Sequence, residues 1–452
     1  MSFFRRASLA AAAFAFSAAL GTAVSIAPAA AFQIQRVKSP GGIQAWLIED
    51  HTNPIISLSI AFRGGAALDP AGKEGLANLV SGLLDEGAGD IRSEAFQAKL
   101  EDMSIRMSFD AGHDSFSGTL DTLTENRDTA FDLLALALTN PRFDEAPVER
   151  VRGQILTQLR RETENPDGVA RRTLYRSLFP DHPYGRPVDG VQETVTRIKI
   201  ADLKLFAATR FARDNLVVSV VGDITAAQLA PLLDETFGKL PPHAVPWDVA
   251  DVKPAVSGKV IVVEKNIPQS AIAFAKPGPK RDDPDFFPAY VMNYVLGGGG
   301  FSSRLYEEVR EKRGLAYSAY SYLFPLDHAG LIVGGAGTRN AQAGETLKVI
   351  NAQLKRMEDN GMSQKELDDA KTFLTGSFPL RFSSSGRIAA MMTGIQLDRL
   401  GIDYWDRRNG LIRAVTLAEV NDQAKKLLDP ERMTTVVVGR PQGITATAKT
   451  TN

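Results

Sequence analysis

Apolar runs along the chain predict two sets of β-strands that follow one another in the same order. The first set comprises residues 43–48, 56–62 and 216–222, and the second comprises residues 260–263, 271–275 and 433–439. The last run of each set has a buried-strand pattern, LVVSVVG in the first half and MTTVVVG in the second, at an offset of 217 residues. This weak internal repeat predicts the duplication of one domain of about 200 residues.

Helical patterns lie between these strands. Leu76, Leu79, Val80 and Leu83 share one helix face, which predicts a helix over residues 74–84. Further helices are predicted over residues 93–103, 127–138 and 146–164, and paired strands over residues 107–120. Each half is therefore predicted to run as hairpin, helix, strands, helices and closing strand. The predicted fold class is α+β, with two homologous domains that each pack a mostly antiparallel sheet with helices.

A proline-rich segment separates the two halves. Residues 241–257 contain four prolines and little helical or strand periodicity, which predicts a linker. We therefore predict an N-terminal domain over residues 32–240 and a C-terminal domain over residues 258–445. Residues 446–452 are predicted to form a disordered tail.

The N-terminus has the pattern of an export signal. Arg5 and Arg6 precede an apolar, alanine-rich stretch, and the small residues 29–31 provide a cleavage site before Phe32. A membrane anchor is the alternative, but glycine, serine and proline interrupt the stretch and a cleavage site follows it. The pattern therefore predicts a signal peptide over residues 1–31, export to a bacterial periplasm and no stable membrane anchor. The choice between the Sec and twin-arginine routes stays open.

Composition excludes several classes of function. The 452-residue chain has a net charge of -1, which offers no basic footprint for nucleic acid. Because there is no cysteine, disulfides, thiol catalysis, cysteine-ligated zinc and iron–sulfur clusters are excluded. Only five histidines remain, and no two are close enough in sequence for a local metal-binding pair. His51 and His113 are interpreted as ordinary polar or loop residues.

Several ordered motifs resemble one family. The segments DPAGKEGLANLVSGLLDEGA, VERVRGQILTQLRRE, HPYGRPVDG and LGGGGFSSRLYEEVREKRGLAYSAYS are similar to those of pitrilysin/insulinase-type metallopeptidases. The resemblance covers nearly the whole mature chain, from about residue 43 to residue 439. It implies one half of a clamshell peptidase. Zinc enzymes of this family carry H-x-x-E-H on the helix after the first strands, where two histidines on one helix face bind zinc and the glutamate activates water.

The zinc motif is degenerate in this chain. Asn78 and Gly82 occupy the two histidine positions, and Ser81 occupies the glutamate position. The third ligand of the family, a glutamate 76 residues after the second histidine, falls on Gln158. The residues at these four positions are poor zinc ligands or, in the case of Gly82, have no side chain. We therefore expect no metal and no cofactor in this chain.

A second motif of the family is present. In the domain without zinc, an arginine and a tyrosine seven residues apart bind the substrate at the scissile bond, and Arg310 and Tyr317 match that spacing. A guanidinium and a phenol can donate hydrogen bonds to a developing oxyanion. Gly314 suits a break between the arginine-bearing helix and the tyrosine-bearing strand. The alternatives are an exposed cation on a charged helix and an alternating strand aromatic.

The glycine run 297–300 invites a phosphate-binding alternative. No Gly-Lys-Ser/Thr follows it, and no G-x-G-x-x-G opens a helix, so a flexible connection is predicted instead.

The resemblance therefore implies the non-catalytic, substrate-binding subunit of a heterodimeric periplasmic zinc peptidase that degrades unfolded peptides. A partner subunit bearing H-x-x-E-H would hold the zinc, although homodimers stay open. One alternative is a peptide-binding or assembly protein with no role in proteolysis. A hydrolase with a relocated serine site is the other, but no G-x-S-x-G is present.

Overall fold

The computed structural model describes residues 33–448. The predicted signal peptide and residues 449–452 of the predicted tail lie outside the described residues. Within residues 33–448, no helix combines the length and the apolar character needed to cross a membrane.

The first half forms a six-stranded sheet. The strands of the first half are β1 (Gln35–Lys38), β2 (Gln44–Glu49), β3 (Ile55–Arg63), β4 (Gly87–Ala88), β5 (Ile91–Arg92), β6 (Arg106–Ala111), β7 (Ser115–Leu123) and β8 (Leu216–Gly222). Strands β4 and β5 pair only with each other, and the other six form the sheet. The strand order is β1-β2-β8-β3-β7-β6. All neighbours are antiparallel except β2 and β8, which are parallel.

The predicted opening hairpin is wrong. Strands β2 and β3 do not pair, because β8 lies between them and hydrogen-bonds to both. Residues 218–222 of β8 are buried, so this apolar strand fits the centre of the sheet better than an edge. A pairing across more than 150 residues carries no local turn signal.

The second half forms a five-stranded sheet of related topology. Its strands are β9 (Val260–Glu264), β10 (Gln269–Pro277), β11 (Ala316–Pro325), β12 (Gly330–Arg339) and β13 (Thr434–Gly439). The order is β11-β12-β10-β13-β9, and only β13 and β9 are parallel. Strands β8 and β13 occupy equivalent places, as their 217-residue offset predicts. The predicted fold class, two related α+β domains with mostly antiparallel sheets, is confirmed.

Helices cover both sheets. They are α1 (Leu76–Ser81), α2 (Ser93–Asp102), α3 (Arg127–Thr139), α4 (Glu145–Glu164), α5 (Pro166–Leu178), α6 (Gln192–Arg197), α7 (Ile200–Arg210), α8 (Ala226–Phe237), α9 (Phe286–Asn293), α10 (Arg304–Tyr306), α11 (Ala343–Asn360), α12 (Gln364–Gly376), α13 (Ser385–Leu397), α14 (Tyr404–Ala414) and α15 (Leu417–Leu427). One local prediction differs from these bounds: helix α1 stops at Ser81 rather than continuing to residue 84. Helix α4 ends at Glu164, as predicted, and Pro166 then opens α5 behind the N-cap Asn165.

The two halves exchange one helix each. Helix α5 of the first half packs on β10 and β13 of the second, where Leu174 joins a core cluster with Ala275 and Val436. Helix α13 of the second half packs on β3 and β8 of the first, where Met392 joins a core cluster with Val221. If the chain were divided into two proteins at the linker, each sheet would lose the helix of the other half that covers one of its faces.

The linker and the tail are tied to the domains. Backbone hydrogen bonds join Val252 to His328 and Ala255 to Leu178, both from linker amides. Ala448, within the predicted tail, forms a parallel bridge with Ile261 of β9.

Candidate functional site

The three helical positions of the degenerate zinc motif lie at the C-terminal end of α1. The Ser81 hydroxyl donates to the backbone carbonyl of Asn78 at 2.8 Å, so it is engaged within its own helix turn. Gly82 is the C-cap of α1, and its backbone amide also bonds to the Asn78 carbonyl. Ser81 is buried, whereas Gly82 is exposed.

Helix α4 passes beside these positions but does not complete a metal site. A Cβ added to Gly82 would lie 3.0 Å from Cγ1 of Val151, an apolar neighbour on α4. Gln158 lies two turns further along α4, is exposed, and forms no hydrogen bond with Asn78, Ser81 or Gly82. Across residues 33–448, no group of three or more His, Asp or Glu side chains could hold a metal ion. The residues present here therefore do not fit zinc.

The N-terminal end of α1 has a cap that the sequence did not reveal. The buried carboxylate of Asp69 accepts hydrogen bonds from the backbone amides of Gly75, Leu76 and Ala77 at 2.9–3.1 Å. Burial raises the pKa of Asp69 to about 7, although the three amides lower it. The cap stabilises the start of α1, since it satisfies amides that would otherwise lack partners.

Arg310 and Tyr317 meet in the second half. The Arg310 Cζ lies 4.6 Å from the centroid of the Tyr317 ring and 4.8 Å from that of the Tyr306 ring, so the guanidinium is held by two cation–π contacts. The Arg310 Nε also lies 3.7 Å from a carboxylate oxygen of Glu311. Tyr317 is 80% exposed. Both side chains therefore present donors to solvent at one point on the surface.

The local sequence explains how the pair forms. Residues Glu307–Glu311 make a π-helical turn, and Gly314 then adopts a φ of +60° while its amide bonds to the Arg310 carbonyl at 2.8 Å. Glycine adopts this left-handed conformation without strain. Strand β11 starts two residues later, and its register shifts between Ala316 and Ala319, leaving Tyr317 outside the regular ladder.

Two ion-pair groups hold the arginine-bearing segment. Arg304 donates to both carboxylate oxygens of Glu366 on α12, each at 2.8 Å. Burial raises the pKa of Glu366, but hydrogen bonds from Arg304 and Ser363 outweigh it and lower the pKa to about 2. The buried carboxylate of Glu308 accepts from Lys312 and Arg313 at 2.8 and 2.5 Å, which lowers the pKa of Glu308.

The glycine run differs from the predicted flexible connection. A Cβ on Gly297 would lie only 2.4 Å from the backbone nitrogen of Ser321, so this glycine permits close packing against β11. Gly300 adopts a φ of +57°. Phe301 at the tip is 79% exposed and contacts the ring of Tyr306 edge-on at 5.0 Å.

The duplicated fold and the degenerate zinc motif on α1 are those expected of an inactive relative of a peptidase. Comparisons with known proteins identify the family. The family model for "Insulinase (Peptidase family M16)" matches residues 45–191, and that for "Peptidase M16 inactive domain" matches residues 197–374. The chain belongs to the peptidase M16 family.

Relatives of this chain are named either as zinc proteases or as a non-peptidase homologue. The chain is 31% identical over 396 residues to the "Non-peptidase homolog YmxG" of Helicobacter pylori, covering 86% of this chain and 90% of that one. It is 27% identical over 308 residues to the "Uncharacterized zinc protease YmxG" of Bacillus subtilis, covering 68% and 74%. A crystal structure of a peptidase M16 inactive domain from Pseudomonas fluorescens matches with a TM-score of 0.84 and 28% identity, covering 93% of this chain and all of that one. The chain is thus an inactive-type homologue that fits a non-peptidase role.

Proposed function

We propose that this protein is the non-catalytic, substrate-binding subunit of a periplasmic heterodimeric zinc peptidase that degrades unfolded peptides. One contrast carries the proposal: Asn78, Ser81 and Gly82 occupy the zinc-motif positions at the end of α1, whereas the partly buried Arg310 lies against the exposed Tyr317. A separate subunit bearing H-x-x-E-H would have to supply the metal and the attacking water.

The contribution of this chain would be to bind and orient the peptide. The Arg310 guanidinium would hold a substrate carbonyl, and the Tyr317 hydroxyl would donate to the oxygen that gains charge in the tetrahedral state. Because the guanidinium contacts both aromatic rings, Arg310 also restrains the Tyr317 side chain before substrate arrives. The periplasmic location and the zinc-bearing partner subunit are parts of the same proposal.

Substitution in the assembled complex tests these roles. Tyr317→Phe removes the donor but keeps the ring beneath Arg310, so we expect kcat to fall by about 10²–10³ with little change in KM. Arg310→Ala removes a peptide contact and the restraint on Tyr317, so both kcat and KM should worsen. Arg310→Lys keeps the charge but loses the planar fork, so it should rescue only part of the loss.

Matched controls separate these effects from general damage. Tyr320→Phe removes a phenol from the same strand, and Arg356→Ala removes an exposed arginine on α11; neither should change turnover. Complex formation should be intact in all variants by size-exclusion chromatography. Full turnover by an intact complex that carries both Tyr317→Phe and Arg310→Ala would refute the proposal.

A second candidate, a peptide-binding or assembly protein outside proteolysis, is favoured by one observation. A relative that is 31% identical is named a non-peptidase homologue. Under this alternative the protein would bind peptide or a partner, and no associated cleavage would respond to Arg310 or Tyr317.

A further inference from the structure

A cleft of about 760 Å³ lies between the two halves, and neither Arg310 nor Tyr317 lines it. Helix α5 and residues 185–191 line it from the first half, and Lys259, Tyr322 and Phe324 line it from the second. Its volume is within the usual range for ligand pockets. We call it the interdomain cleft.

The interdomain cleft contains cations that nothing in the described chain neutralises directly. Arg171, Arg172 and Arg176 project from α5, and Lys259 precedes β9. Among residues 33–448, none of their side chains forms an ion pair or a hydrogen bond with another residue. Arg186, which also lines the cleft, donates to the backbone carbonyls of Asp69 and Ala67 and is therefore engaged in the fold. Unpaired charges in a concave site focus the field on an incoming anion.

Acidic groups reduce this charge only in part. Glu162 and Asp189 line the interdomain cleft together with the four unpaired cations, whereas Arg186 forms an ion pair with Glu74. Burial raises the pKa of Asp189, while the nearby Arg171 lowers it, so these two charges partly offset one another. The cleft nevertheless has an excess of positive charge in a protein with a net charge of -1.

Aromatic faces accompany the cations. The Tyr175 and Phe324 rings meet edge-on with centroids 6.0 Å apart, and the Phe324 and Tyr322 rings meet at 6.3 Å. Tyr322 is 39% exposed, so part of its ring is available to a ligand. Guanidinium forks pair with carboxylates through two parallel hydrogen bonds, and aromatic faces bury apolar side chains. A peptide that carries both carboxylates and apolar side chains matches this lining.

We propose that the interdomain cleft binds an acidic segment of a peptide, with its carboxylates on Arg171, Arg172, Arg176 and Lys259 and its apolar side chains on Tyr322 and Phe324. The inference rests on the proposed function, because it names the class of peptide that the subunit retains. Nucleic acid is a poorer match, since it requires a basic surface that tracks an extended backbone.

Fluorescence anisotropy on the purified protein tests the inference. The probes are labelled, unstructured peptides of one length in which leucine alternates with glutamate, glutamine or lysine. The glutamate peptide should bind at least about tenfold more tightly than the glutamine peptide, since hydrogen bonds to charged groups contribute more than neutral ones. The lysine peptide should bind most weakly, and added salt should reduce the advantage of glutamate.

Paired double variants assign the site. Arg171→Ala with Arg176→Ala should remove the advantage of the glutamate peptide, whereas Lys348→Ala with Arg356→Ala on α11 removes two exposed charges elsewhere and should leave it unchanged. If the variant with Arg171→Ala and Arg176→Ala does not fold, the difference in affinity between the glutamate and glutamine peptides for the unaltered protein, and its salt dependence, still test the inference. Equal binding of these two peptides, or equal loss from both pairs, would overturn the inference.

Further arms identify the source of the anion. Each peptide is used with a free and with an amidated C-terminus; loss of tight binding on amidation assigns the terminal carboxylate, and unchanged binding assigns the side chains. Displacement of the glutamate peptide by a single-stranded oligonucleotide of equal charge would overturn the assignment to peptide.

The inference and the proposed function can fail separately. If the assembled complex cleaves the glutamine peptide in an Arg310-dependent way but does not bind the glutamate peptide more tightly, this inference fails while the proposed function stands.

Discussion

The environment of His113 predicts a measurable loss of stability in acid. The His113 ring stacks on Tyr175 with a centroid distance of 6.1 Å and meets Tyr184 edge-on at 5.4 Å. Burial, with a smaller contribution from His182, lowers the pKa of His113 from 6.5 to about 4. A proton on this ring would be buried among aromatic faces and beside another histidine, so the native state resists protonation.

The size of the effect follows from proton linkage. The unfolded chain binds the proton near pH 6.5 and the native chain near pH 4, so the contribution of His113 to stability is complete above pH 6.5 and is lost as the pH falls toward 4. With these two values, acidification from about pH 8 to about pH 5 lowers the free energy of unfolding by about 2 kcal/mol. His182 also has a lowered pKa and adds a change of the same sign.

Urea unfolding followed by tryptophan fluorescence measures this change. We expect His113→Phe, which keeps the aromatic packing without a titrating group, to lose about 2 kcal/mol less than the unaltered protein between the two pH values. His243→Asn is the control, because the His243 side chain is 80% exposed. Identical pH dependence in the unaltered protein and in His113→Phe would refute the reasoning.

Three further substitutions test contacts within the fold, each by urea unfolding at neutral pH. Leu174→Ala should cost about 2–5 kcal/mol, because Leu174 on α5 is almost fully buried against the second sheet; a loss below that of an exposed α5 position would contradict the helix exchange. Tyr184→Phe should cost about 1–3 kcal/mol, since its hydroxyl donates to Asp114 at 2.6 Å and accepts a backbone amide of the second half. Ser384→Ala should cost about 1 kcal/mol through loss of the N-cap of α13, and an unchanged midpoint would exclude that cap.

Strand positions could be predicted from the sequence because buried strands leave continuous apolar runs. The neighbours of a strand could not, because β8 is inserted between β2 and β3 by packing rather than by a local turn. The apolar face of α5 predicts burial but not the sheet on which it packs. The exchange of α5 and α13 between the halves was therefore invisible at the level of periodicity.

The candidate site was predictable where its parts lie close in sequence. Arg310 and Tyr317 are seven residues apart, with Gly314 as the expected break between them. The pairing of Arg304 with Glu366 spans 62 residues and leaves no local pattern. The interdomain cleft was missed for the same reason, since its cations and aromatic rings come from separate segments of both halves.

The split-enzyme account is tested most directly by isolating the protein from its source organism and identifying any chain that co-purifies with it. The tagged protein would be purified from its source organism, and the eluate would be assayed for cleavage of an unfolded peptide with and without a metal chelator. The account predicts a co-purifying chain that bears H-x-x-E-H, chelator-sensitive cleavage by the pair, and no cleavage by this protein alone. A protein that elutes alone and inert would contradict the account, and so would cleavage by this chain without a partner.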